Sequence, residues 1–102
     1  MKVFELQRGV DDPPSGVELL MDEGTAKIRR IDLPAGGSIP PCKMSEDVVF
    51  VVLSGKVVMV SGEEKALVTA PSAVYIPGGA VDRHMEAVEA SRILAILTRV
   101  PG

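Results

Sequence analysis

Hydrophobic residues along this chain come in short runs, rich in valine and isoleucine, and are cut apart by glycine, proline and charged residues. β-Branched side chains fit a pleated, half-buried surface, so short runs of them bounded by turn formers read as strands. On that basis strands are expected at 3–6, 17–21, 26–33, 48–53, 57–60, 66–68, 73–76, 84–90 and 92–98. In the stretch 26–33, Ala26, Ile28, Arg30 and Asp32 alternate with Lys27, Arg29, Ile31 and Leu33, which puts the two sets on opposite faces. The stretch 48–53 is apolar throughout, the pattern of a strand covered on both faces. A long turn is expected at 11–16, a break at 33–37 and a hairpin loop at 61–65. No segment sustains a 3.6-residue period with caps. The nearest is 83–96, rich in alanine and glutamate after a Pro-Gly-Gly turn. Many short strands at regular spacing predict a closed or sandwiched all-β fold.

Length and composition narrow the picture. A chain of 102 residues is one domain, 1–102, large enough to bury one core. An apolar fraction of 46% is high for a small soluble domain. It is consistent with a valine-rich core, or with one face buried against a second copy in a two-fold homodimer. The formal charge of −3 is spread along the chain, and the aromatics are only Phe4, Phe50 and Tyr75. Without a basic patch or stacking rings, a nucleic-acid partner is excluded. The apolar runs are too short to span a membrane. Glu5 follows Met1 too closely for a signal peptide, and the single Cys42 has no partner for an internal disulfide. A cytoplasmic location is expected.

The turn residues carry a further pattern. Gly36 is followed by Cys42, Met44, Val48 and Gly55, and farther on come Pro77, Gly79 and Asp82. This spacing resembles the two signature motifs of the cupins. In the first motif a glycine leads through a His-x-His pair and a glutamate to a second glycine. In the second, a glycine leads through Pro-x-Gly to a histidine. Gly36, Gly55, Pro77 and Gly79 stand where the motifs have glycine and proline, whereas Pro71 replaces the earlier glycine of the second. The resemblance covers about 26–99. It implies a double-stranded β-helix, a jelly-roll barrel of about eight strands, and ordinarily a metal held by three histidines and a glutamate.

Those four ligand positions are occupied here by Cys42, Met44, Val48 and Asp82. In an extended strand Cys42 and Met44 share a face, as do Asp82 and His84, and the motif spacing aims both pairs into the barrel. Val48 has no donor atom and Met44 offers only a soft thioether. Cys42, Asp82 and His84 make a mixed set for zinc, or with Met44 a soft one for copper. Each residue also has a plain structural reading. Cys42 and Met44 are then core fillers, Val48 is core, Asp82 caps a turn at the barrel mouth, and His84 is an exposed or hydrogen-bonded histidine. An inward Asp82 needs a partner, and His84 is the candidate. The function expected is binding of a small, partly apolar molecule in a cavity lined by Cys42, Met44, Val48, Asp82 and His84, with no metal and no cofactor. The alternative is a metal-dependent cupin enzyme, an oxidoreductase or isomerase, working through Cys42, Asp82 and His84.

Overall fold

A computed structural model describes residues 1–6 and 16–98, and for 40–44, 80 and 81 the backbone alone. Nine strands run in chain order: β1 Gly16–Glu23, β2 Ala26–Leu33, β3 Ser38–Met44, β4 Asp47–Ser54, β5 Lys56–Ser61, β6 Glu64–Thr69, β7 Ser72–Ile76, β8 Gly79–Ala87 and β9 Ser91–Thr98. They form two antiparallel sheets, one in the order β1-β2-β9-β4-β7 and the other in the order β3-β8-β5-β6.

The differences from the sequence reading have local causes. The helix-like stretch 83–96 is split between β8 and β9, because Met85, Ala87, Ile93, Ala95 and Leu97 alternate with less buried neighbours at the two-residue period of a strand. Residues 3–6 are not a strand: Val3 is exposed, and no strand among the described residues pairs with it. β3 was not foreseen, since Pro40 and Pro41 break the apolar pattern there and proline is a poor ladder member. β4 is not fully covered on both faces. Val48 and Val52 are buried, Val49 and Val51 are half-buried, and Leu53 is exposed. The turn expected at 11–16 lies outside the described residues except for Gly16, which opens β1.

Two tight hairpins set the registers. Glu23 lies opposite Ala26, and Ser61 opposite Glu64, so only two residues separate the strands in each case. Gly24 and Gly62 occupy the first of those two positions with φ near +59°, where a type II′ turn takes glycine. Gly55 joins β4 to β5, which belong to different sheets. Its φ is +86°, and an added Cβ would lie 2.3 Å from the Ala90 carbonyl oxygen and 2.2 Å from Ser91 Oγ. Only glycine fits so close a crossing.

The buried side chains come from both sheets and form one core. Leu33, Val52, Val57, Val68, Ala87 and Ile93 pack at one end; Val52, Val57 and Ile93 are fully buried. The other end is less completely filled, and it contains the candidate site.

Candidate functional site

Between the sheets lies a cavity of about 100 Å³. From the five-stranded sheet its walls take Ile31 of β2, Val48 and Phe50 of β4, and Leu97 of β9. From the four-stranded sheet they take Met59 of β5 and Met85 of β8. These side chains are present because inward positions recur every second residue along each strand. Val48, Met59, Met85 and Leu97 are all at most 3% exposed. The surface presented to a bound molecule is therefore mainly hydrocarbon and thioether.

Three nitrogen-bearing residues interrupt it: Arg29, Arg83 and His84. Arg29 sits on the inner face of β2, opposite the buried Ala95 of β9. Arg83 is only 5% exposed. It precedes Met85 and Ala87 on the inner face of β8, and its Nη2 donates to the Glu46 carbonyl oxygen at 3.3 Å. His84 is half-buried and borders the cavity beside Arg83. No aspartate or glutamate borders the cavity among the described residues.

The candidates from the sequence fare differently. Val48 is on the cavity wall and His84 borders it. Asp82 is not inward but exposed, and only its backbone has a role there, the carbonyl oxygen accepting from Gly62 N–H at 2.9 Å. The parity of β8 explains the correction: Arg83, Met85 and Ala87 are buried, whereas Asp82 and Glu86 are exposed. An Asp82–His84 pair inside the barrel is accordingly not formed. The side chains of Cys42 and Met44 lie outside the described ones; their backbones lie opposite Arg83 and Gly79 in the β3–β8 ladder. Arg83 was missed by sequence reasoning. The signal was available in the alternation of 83, 85 and 87, but the motif spacing drew attention to Asp82 instead.

The described side chains at the motif's ligand positions do not fit the metal that the cupin motifs ordinarily hold. Val48 offers only carbon at a ligand position, Asp82 is exposed, and the inward residue beside it is the cation Arg83. A guanidinium on the cavity wall repels a metal ion and donates no lone pair. Among the described residues, no three His, Cys, Asp or Glu side chains come together to hold a metal.

A second polar cluster lies on the opposite face of the five-stranded sheet. Asp32 is fully buried there, with its carboxylate 2.7 Å from Arg92 Nε and 3.3 Å from Arg30 Nε. Arg30 also pairs with Glu18, and Arg92 donates to the Leu6 carbonyl oxygen. Every partner belongs to the protein itself, and the cluster clamps β1, β2 and β9 together.

No protein-family model matches the chain, and no curated protein matches it in sequence. Solved structures do match it in shape. A conserved protein of unknown function from Streptococcus pyogenes superposes with a TM-score of 0.83 at 20% identity, covering 99% of this chain and 90% of that one. An RmlC-like cupin with a double-stranded β-helix from Methanocaldococcus jannaschii gives 0.83 at 20% identity, over 97% and 91% of the two chains. KdgF from a Halomonas species gives 0.75 at 14% identity, over 92% and 87%. The protein thus has the cupin fold, an all-β double-stranded β-helix, as the glycine and proline spacing implied.

Proposed function

We propose that the barrel binds a small, partly apolar organic molecule between its sheets, without the metal centre usual for this fold. The observation that carries this reading is the cavity wall itself. Val48 stands at a position where the motif has a metal ligand, and it contributes hydrocarbon to a cavity lined by Phe50, Met59, Ile76, Met85 and Leu97. Apolar concavities with a few polar groups are the usual form of small-molecule sites. A volume of about 100 Å³ limits the guest; in another protein an apolar cavity of roughly 150 Å³ takes benzene. Ligands of about that size or smaller are expected.

The test is an NMR titration of the labelled protein with a set of small organic molecules that differ in charge and shape. Binding in the barrel predicts saturable shifts in the amides of Val48, Met59, Met85 and Leu97. Shifts confined to exposed residues such as Leu67 and Tyr75 would refute it.

A further inference from the structure

We infer that the outer face of the five-stranded sheet is the docking surface for a second copy of this chain, which packs there face to face as a two-fold dimer. This face looks away from the cavity, so the inference is independent of the small-molecule reading. β4 and β9 carry it. The stretches 48–53 and 93–97 are apolar without interruption, whereas a strand with one face in water alternates apolar with polar residues. Val48, Val52, Ile93 and Leu97 fill the core. The residues between them face outward, and the strand registers line them up across the sheet. Ile28, Ile96, Val49 and Tyr75 form one row, each opposite the next on the neighbouring strand, and Leu94 opposite Val51 forms a second. Opposed side chains in such rows are within reach of one another, so the face is continuous. Tyr75 is 61% exposed, and the other five are half-buried. The outer face of the four-stranded sheet is different. There Val58 lies opposite Glu86 and Val60 opposite Lys65, so charges interrupt the apolar positions as on a solvated surface.

Size and charge identify the occupant. Four of the five strands have eight residues. At about 3.3 Å per residue and about 4.8 Å between strands, the face measures roughly 26 by 24 Å, or about 600 Å². That is the upper end of the largest apolar patch on a typical monomer, roughly 300–600 Å². Two such faces in contact remove about 1,200 Å² before side-chain relief is counted, which reaches the lower bound of stable, specific interfaces. The two rows carry no charge, so each copy offers the other a surface like its own, as a two-fold interface requires. Arg30, Asp32 and Arg92 stand at one corner, matched among themselves, and give the rows a polar rim. Two apolar sheet faces pack in this way about 10 Å apart with their side chains interdigitated.

The experiment is sedimentation velocity on the full-length protein at about 50 µM, well above a micromolar dissociation constant. Twice the mass of one chain is expected. Ile96→Lys places a charge at the centre of the face, and a monomer is expected. Tyr75→Glu changes an exposed position, so it carries the test should Ile96→Lys fail to fold; it is expected to weaken the dimer at least about tenfold. Leu67→Glu, equally exposed at 61% but on the other sheet, is expected to leave the dimer unchanged. A monomeric parent protein would overturn the inference. So would a dimer that persists unweakened in Tyr75→Glu, or one that Leu67→Glu dissolves as readily. None of these results bears on ligand binding between the sheets, which the cavity-wall amides report separately.

Discussion

Arg92 and Arg83 are both largely enclosed by the protein, yet their surroundings differ in kind. Arg92 lies on the outer face of the five-stranded sheet, where its Nε is 2.7 Å from a fully buried carboxylate, Asp32. Arg30 approaches the same carboxylate, and Glu18 completes the row. Arg83 lies on the inner face of the other sheet and meets a backbone carbonyl on the edge of an apolar cavity. In the outer cluster, opposite charges are matched within the protein, so its role is to hold strands in register. At the inner site Arg83 is held against Glu46 and, with Arg29 and His84, borders a cavity whose wall is otherwise apolar. Burial of an arginine alone does not separate a structural from a binding role; what its guanidinium faces does.

The largest effect is expected from removing the shared acid. Asp32→Ala leaves two guanidiniums facing each other without their carboxylate, and breaking a buried pair in this way costs about 3–5 kcal/mol. For a domain of this size that is a fall of roughly 12 °C or more in Tm, read by a thermal melt. A shift of only a degree or two would mean that the outer cluster does not hold the sheet. Arg92→Met tests the same cluster from the other side. Arg30 remains to face Asp32, so a smaller loss of about 2–3 kcal/mol is expected in urea denaturation.

Arg83→Met is the matching change at the inner site. It takes the 3.3 Å donor away from the Glu46 carbonyl oxygen, a loss of about 1 kcal/mol or more. The ligand-free variant is expected to lose about 1 kcal/mol, less than Arg92→Met, whose guanidinium faces a fully buried carboxylate. Denaturation midpoints close to one another for the two variants would erase the contrast. The smallest effect is expected at Asp82, which is exposed. Asp82→Asn should change stability by less than about 0.5 kcal/mol and leave the ligand-induced shifts of the cavity-wall amides unaltered. A marked loss of binding in that variant would restore Asp82 to the site.

Much of the fold was legible because strands and turns are encoded locally. Valine-rich runs, the two-residue alternation in 26–33, and glycines at 24, 55 and 62 all act over a few neighbouring residues. β3 was hidden because its prolines and its irregular pairing with β8 break the pattern that marks a strand. The candidate site was legible only in part. Val48 was placed by motif spacing, but Asp82 was assigned the face that Arg83 takes. A shift of one residue in register exchanges the two faces of a strand, and the irregular β3–β8 pairing that accompanies this register is a long-range feature. The Asp32–Arg92 contact joins residues 60 positions apart, and nothing in the local sequence announces it.

The central claim, that this barrel receives a small organic molecule beside the position of Val48, is tested most directly by native mass spectrometry. The protein is purified without chelator, incubated with zinc or copper, exchanged into volatile buffer, and then presented with the small organic molecules of the NMR titration. The account predicts no metal retained at stoichiometric level and a mass increase of one small organic molecule per chain. One tightly held metal per chain, lost in His84→Ala or Cys42→Ala, would contradict it.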